Sequence, residues 1–581
     1  MTDMKDTIDM AGRPDMADSA EPVDGAAAVD GAGVAGMATA LGEADVTGTA
    51  DVAGTAGVAG TAGVAGTAGV GETAGVAGTA GVAGTAGVGE TAGVAEAADD
   101  LAVAPLLNCL LREVGEAADG QGVYRLRASG RLLRVSGDRR PTRPQLYSTG
   151  AWHPLTHAEL VKLTADELRR HTGLVNSELP AEMLDSREAV AALLAARARL
   201  APPDDLYRRS EQSLVTGHPH HPAPKARGGG PVTAWLPYAP EAYAEFPLEL
   251  LAVREDAVVE EGDPSALDAL GTAPPGYRLL PAHPWQLELT AAQPEIRAAL
   301  ADGRLLRLGR TARPVWPTAA VRTVYAPEDD LFLKFSLDVR ITNDIRRLWR
   351  HDLLKLCRTD AAAGAALAAG DTAAAWLGDR GYRTADFAFE ELAVLVRDGL
   401  RGHLLPGATP VLAAALVEGF DGSPLDRAAD PGAWWAAYLR QVVPPVLDAF
   451  ARHGVVLEAH LQNTLVAVDA DGMPVQALFR DAEGVKVLPG VTRAAGWERL
   501  VYCLLVNHLT ELAAVLAERR PGLDPWPAVR RELLRHGDLP EVGELLRAGA
   551  LPGKTNLLLR WTGADGADAR YVPLPNPLAC V

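Results

Sequence analysis

The feature that most limits what this chain can fold into is a long run with almost nothing to build a core from. From Gly48 the sequence repeats GTAGVA with a six-residue period, and the block GETAGV recurs at Gly71 and Gly89. Ala, Gly, Thr and Val supply no large side chains, and glycine at every third position raises the entropy lost on ordering. Residues 1–100 are therefore expected to form a disordered tail. The competing reading, a stacked repeat structure, lacks capping units and a ladder residue. Any packed core has to come from residues 101–581.

The tail also distorts the charge. The chain carries a net −20, but residues 1–100 hold 16 acidic and 2 basic side chains, against 59 and 53 in the rest. The body is close to balanced and has no long basic stripe, which argues against nucleic acid as a partner. Cys109, Cys357, Cys503 and Cys580 are far apart and none forms a CxxC pair. That disfavours a disulfide framework or a zinc ribbon and suits a reducing cytoplasm. No apolar run reaches the ~18 residues that span a bilayer. The start, MTDMKDTIDM, has neither the basic nor the apolar region of a signal peptide. A soluble cytoplasmic protein with no membrane partner is expected.

The body reads as α+β. APLLNCLLREV is an amphipathic helix, and YRLRASGRLLRVSG is two strands joined at Ser129–Gly130. LTHAELVKLTADELRRHTG and SREAVAALLAARARL are helical, the second with Asp185 or Ser186 as N-cap. These make an N-terminal region over 101–205. A Pro- and Gly-rich region with short strands follows over 206–360. Residues 361–581 read as mainly helical, starting with an Ala-rich helix over 361–375 and interrupted by one hairpin.

Chemistry concentrates in three places. The first is the loop Gly217–Gly230, in which His218, His220 and His221 fall within four residues and lead into Lys225, Arg227 and a glycine run. Its prolines stiffen it, its imidazoles and cations suit an anion, and its glycines allow backbone N–H groups to approach. A zinc site would need further ligands that the run lacks, and a plain solvated loop stays open. The second is PTAAVRTVY, the acidic APEDD, then LFLKFSLDVRITNDIRRL. Alternation gives two strands carrying Arg322, Thr323 and Lys334. A lysine between Leu333 and Phe335 is costly to bury without an anion, and the phosphate-holding lysine of kinases has this setting. An edge strand with its lysine in solvent is the alternative. Thr342-Asn343-Asp344 reads as a helix N-cap. Arg346 in the first turn would oppose the helix dipole, so a bound carboxylate would explain it.

The third place is a helix over 434–453 ending at Gly454, then Glu458-Ala459-His460-Leu461-Gln462-Asn463, a hairpin turning at Asp469–Gly472, and Arg480-Asp481-Ala482-Glu483-Gly484. Kinases use this order, with an Asn and a post-hairpin Asp holding Mg²⁺ on ATP. Glu458, Asn463 and Asp481 are hard oxygen ligands suited to Mg²⁺. The aspartate that accepts the substrate hydroxyl proton in kinases is replaced by Gln462. The pattern therefore points to Mg–ATP without ordinary phosphotransfer.

Together, GHPHHPAPK, HPWQ at His283–Gln286, PTAAVRTVY, LKFSLDVRITNDIRRL, EAHLQNTLV and FRDAEG resemble the siderophore synthetases that work independently of nonribosomal peptide synthetases, the aerobactin-synthetase (IucA/IucC) type. The resemblance covers residues 101–581. It implies a cupped hand of thumb, fingers and kinase-like palm, and an ATP-dependent ligase. Such an enzyme adenylates a carboxylate of citrate or a related polycarboxylic acid and joins it to an amine or alcohol, releasing AMP and pyrophosphate. Family members are often homodimers. On this chain the resemblance puts Thr318, Arg322, Thr323 and Lys334 at the triphosphate, and His460, Gln462, Asn463 and Asp481 around the nucleotide. Glu458, Asn463 and Asp481 would hold Mg²⁺. His218, His221, Lys225, Thr342, Asn343 and Arg346 would grip the acid. Lys334, Arg322, His460 and Arg346 would carry catalysis. Many members have Ser where this chain has Ala320, so one hydroxyl contact is absent or comes from Thr318. The rivals are a kinase-like phosphotransferase and a non-catalytic nucleotide- or siderophore-binding relative.

Overall fold

A computed structural model of the chain describes residues 88–564 and 570–580; the repeat tail up to residue 87 lies outside them. The first helix, Val88–Val114, starts well ahead of Leu101, so order begins inside the stretch read as tail. There the repeat gives way to AEAADDLAVAPLL, rich in strong helix formers. Its second half buries Leu106, Leu107 and Leu110 against Leu160, Leu168 and Leu179.

A five-stranded antiparallel meander follows, from Gly115–Ala117 to Ala151–Pro154. The helix His157–Thr172 opens with a capping box between Thr156 and Glu159 and closes on Gly173 in the left-handed region. The next helix, Glu178–Arg197, corrects an expectation, because Asp185 and Ser186 lie inside it. Pro180 sits in the first turn, where no intrahelical N–H is needed, so it does not delay the start.

Three strands, Tyr277–Ala282, Glu249–Arg254 and Leu305–Arg310, form a small antiparallel sheet. Its Leu251 and Leu280 pack with Leu333, Val394 and Val396 of a six-stranded sheet. That larger sheet runs in the order Trp316–Pro317, Thr323–Ala326, Leu331–Phe335, Val394–Asp398, Asp379–Ala385, Val258–Gly262. Its strands come from both sides of residue 360, so the expected boundary there does not divide the fold. The Ala-rich helix runs Arg350–Ala368, and Ala375 opens a strand.

A second sheet has the order Ala375–Leu377, Pro474–Arg480, Thr464–Val468, Thr409–Leu412. The expected hairpin is its centre. Val466, Ala477 and Phe479 pack on the helix Pro431–His453 through Trp434, Tyr438 and Val442. Asp430 caps that helix, and Gly454 ends it at φ 64°. Among the described residues one helix, Arg493–Arg519, is long and apolar enough to cross a membrane, but 78% of its apolar window is buried inside the fold. Its middle, Val501–Leu509, is a π-helix.

Candidate functional site

The strand register brings the first residues together. Thr323 pairs directly with Lys334 across the antiparallel ladder, so both side chains leave the same face. Lys334 is 3% exposed. Its ammonium donates to Asp481 Oδ1 at 2.6 Å and Glu483 Oε2 at 2.7 Å. The cation rises from the six-stranded sheet, and both carboxylates follow the hairpin of the four-stranded one. Arg322 donates to Glu483 at 3.3 Å and to the backbone carbonyls of Arg346 and Arg347 at 3.1 and 2.9 Å.

Asp481 has φ 86°, a conformation uncommon for a residue with a side chain. Its surroundings hold it there. Arg397 grips Asp379 at 2.6 and 3.1 Å and reaches Asp481 Oδ1 at 3.2 Å, while Asp379 accepts the Ala482 N–H at 2.8 Å. Burial pushes the Asp481 carboxyl up, but Lys334 and Arg397 outweigh it and hold the group far below the carboxylate range. Asp379, Arg397 and Glu483 were not singled out from the sequence. Glu483 stands inside the FRDAEG motif without having been given a role, and the Arg397–Asp379 pair is not local.

Thr318 is buried, and its hydroxyl donates to the Thr323 carbonyl at 3.0 Å while meeting the Ala320 N–H at 3.4 Å. It fixes the turn that presents Arg322. Buried Glu211 braces the same turn, accepting from the Ala319 N–H at 3.0 Å and pairing with Arg480 at 2.6 Å.

Thr342-Asn343-Asp344 is not a helix cap. It turns between the short strands Arg340–Ile341 and Asp344–Ile345, with Thr342 at φ 60°. The helix starts only at Arg350. This turn places Arg346 beside Arg322. Burial first, then Arg322, lowers the Arg346 guanidinium to about 10. It donates to the Thr342 hydroxyl and has no carboxylate partner among the described residues.

The histidine loop closes over this cation. Asp185 accepts the Arg227 N–H at 2.6 Å, and Ser186 accepts the Lys225 N–H at 3.0 Å; both oxygens sit mid-helix and so are not used as caps. His221 is 1% exposed. Its Nδ1 accepts the Ala223 N–H at 3.1 Å, which leaves the proton on Nε2, turned towards the Asn343 side chain. Burial and then His218 push its pKa well below the usual value. His218 is lowered to about 3 by burial, then by His220 and His460.

Lys225 departs from the expected acid grip. It is buried against Glu241 at 2.5 Å, and Arg227 shares the same carboxylate at 3.0 Å. His220 is held by Glu511 at 2.8 Å and Arg112 at 2.9 Å. Asn556, not foreseen, ties the two loops by donating to the His220 carbonyl at 2.7 Å and accepting from Asn343 at 3.2 Å.

In the third motif, His460 Nδ1 accepts the Gln462 N–H at 3.2 Å, and Nε2 lies 3.4 Å from the Asn463 amide. Burial lowers the pKa of His460. Beneath it, fully buried His508 donates from Nδ1 to the Ala459 carbonyl at 2.8 Å and meets the Tyr438 hydroxyl. Among the described residues no group of three His, Cys, Asp or Glu side chains is placed to enclose a metal. Asp481 Oδ2 and Asn463 Oδ1 have no protein donor among those residues, which fits a Mg²⁺ arriving on a triphosphate. Glu458 pairs with Arg499 at 2.7 Å.

The site thus sets buried cations beside carboxylate oxygens, with a further cation, Arg346, adjoining, as suits an enzyme that handles a nucleotide and an acid together. Part of the chain resembles the IucA/IucC family. A family model described as IucA / IucC family matches residues 206–418, and one described as ferric iron reductase FhuF-like transporter matches 432–569. The L-2,3-diaminopropanoate–citrate ligase of Staphylococcus aureus is 29% identical over 64% of this chain and 75% of its own. The rhizobactin siderophore biosynthesis protein RhbC of Rhizobium meliloti is 29% identical over 68% and 80%. The ATP-bound aerobactin synthetase IucA of Klebsiella pneumoniae superposes with a TM-score of 0.69 at 23% identity, covering 82% of this chain and 99% of that one.

Proposed function

We propose that this protein adenylates one carboxylate of citrate, or of a related polycarboxylic acid, and passes the acyl group to an amine. The observation that carries this reading is Arg346. It is a cation with no carboxylate partner among the described residues, set beside Arg322 and near His221. Unpaired buried donors are costly unless a ligand satisfies them. A polycarboxylate supplies the missing acceptors, and Thr342, Asn343 and His218 complete the grip.

The triphosphate would take Lys334, Arg322 and Thr323. Lys334 then exchanges its bonds to Asp481 and Glu483 for phosphate oxygens. A carboxylate oxygen of the acid attacks the α-phosphorus, the bond to the β-phosphate oxygen breaks, and pyrophosphate leaves with the electron pair. Lys334 and Arg322 offset the charge that builds on the leaving group. Mg²⁺ held by Asp481 and Asn463 would add charge neutralisation on the phosphates. The amine nitrogen next attacks the acyl carbon, the C–O bond to AMP breaks, AMP departs, and one N–H proton goes to solvent. Gln462 supports this over phosphotransfer, since no carboxylate stands there to accept a hydroxyl proton. The lobes that carry Lys334 and Asp481 correspond in this reading to the fingers and palm of a cupped hand.

Acid-dependent ATP–pyrophosphate exchange tests the proposal. Citrate, succinate and 2-oxoglutarate are tried separately, with exchange expected for at least citrate. ADP as the product, or no exchange with any acid, would overturn it.

A further inference from the structure

The HPWQ motif, His283–Gln286, has no part in the chemistry above, yet it is built against the chain that carries the site's cations. His283 Nδ1 accepts the Trp285 N–H at 3.2 Å and Pro284 opens the helix Pro284–Thr290, so the first two residues fix a helix start. Trp285 is buried with Val321, Leu337 and Val339. Val321 precedes Arg322, and Leu337 and Val339 flank Asp338. Gln286 is 2% exposed. Its Oε1 accepts the Asp338 N–H at 2.8 Å, and its amide donates to the Glu391 carbonyl at 3.0 Å. The carboxylates of those same two residues hold Arg347, Asp338 at 2.6 and 2.8 Å and Glu391 at 3.3 Å. One side chain thus fixes the backbone of both residues that grip Arg347.

Arg347 in turn lies in the stretch that presents those cations. The Arg346 backbone is tied to Leu337 at 2.8 Å and to Val339 at 3.0 Å, the two neighbours of Asp338. Arg322 donates to the carbonyls of Arg346 and Arg347. The side chains part there, Arg346 going to Thr342 and Arg347 to Asp338. We infer that Gln286 is a positioning residue for both substrates: through Asp338, Glu391 and Arg347 it fixes the stretch that sets Arg322 for the triphosphate and Arg346 for the acid. The inference rests on the reading of those two arginines above. A buried amide that spends both ends on backbone groups holds them closely, since either partner left alone would be an unpaired buried group. Cations held in place before a ligand arrives lose less on binding it. The Gln293 amide, 3.4 Å from the second Asp338 oxygen, braces the same carboxylate.

The test uses the full chain and calorimetric binding of Mg–ATP and of citrate, neither of which needs turnover. Gln286→Met keeps the volume and removes both bonds. The Kd for ATP and the Kd for citrate are expected to rise together, each by about tenfold. Arg347→Met, at a side chain 25% exposed, is expected to do the same and carries the test where Gln286→Met does not fold. The double variant should bind within about twofold of the weaker single one, because both changes break one connection. A rise in one Kd alone would overturn the inference, since Gln286 would then serve a single substrate. Unchanged Kd values with a lower urea midpoint would make Gln286 a packing residue only. Fully multiplied effects in the double variant would break the link through Arg347. Failure of the unaltered protein to bind ATP or citrate would overturn the ligase reading and this one together. Binding that responds as expected, without acid-dependent exchange, would overturn the ligase reading alone.

Discussion

Lys334 Nζ lies 2.6 Å from Asp481 Oδ1, a contact that joins two sheets across 147 positions of sequence. Without nucleotide the two groups neutralise each other. Lys334→Ala removes the cation from between Asp481 and Glu483 and leaves two like charges close together. Loss of exchange by at least about a hundredfold is expected, with stability lower by about 3 kcal/mol. Exchange rates and urea unfolding read the two effects separately. A variant that keeps full exchange would remove Lys334 from the triphosphate.

Arg346 is expected to act on the acid and not on the nucleotide. Arg346→Lys keeps a charge but loses the planar fork that grips a carboxylate. The KM for citrate in exchange should rise about tenfold, with the KM for ATP nearly unchanged. Equal rises in both would place Arg346 at the phosphates instead.

Lys225 and Glu241 form a structural pair. Burial raises the Glu241 carboxyl, but Lys225 and Arg227 pull it down to about 2. Lys225→Met leaves Arg227 alone with that carboxylate. Destabilisation of about 2–3 kcal/mol is expected, seen as a lower urea midpoint, while the KM for citrate at 25 °C stays level. A large change in that KM with unchanged stability would return Lys225 to the acid grip.

The buried histidines set an acid limit. Burial lowers His283 to about 3 and His508 to about 4, both below the value of the unfolded chain. The unfolded chain then binds more protons at low pH. Stability from these groups is full above pH about 6.5 and falls as the pH drops towards 3–4, by up to about 1.4 kcal/mol per pH unit for each histidine. Urea midpoints at pH 7.5 and 5.5 should differ in that direction, and a flat profile would contradict the buried neutral state.

Ala320→Ser adds a hydroxyl at the turn that presents Arg322. Thr318 already spends its proton on the Thr323 carbonyl. A gain of about 0.5–1.5 kcal/mol in ATP binding is expected, seen as a KM for ATP lower by about two- to tenfold. No change would mean that Thr318 supplies the contact by itself.

Local patterns made the motifs legible. Alternation around Lys334 gave its strand, and the helix stop at Gly454 with the Asp469–Gly472 turn gave the hairpin that delivers Asp481. Partners brought in from far along the chain were not legible. Nothing near Lys225 announces Glu241, nothing near Glu458 announces Arg499, and Val394–Asp398 joins Leu331–Phe335 only through the sheet. Thr342 misled for a local reason: a Thr-Asn-Asp run suits a tight hairpin turn as well as a helix cap.

The π-helix Val501–Leu509 carries His508, the prop beneath the His460 loop. A helix wound wide in this way holds one residue more than an ordinary turn would. Removing a single residue there would restore the tighter winding and swing His508 by about 100° relative to the turns before it. In evolutionary terms this stretch is framed by count as well as by composition. Conservative substitutions can be absorbed, whereas a one-codon deletion some distance from the nucleotide would cost the loop its support.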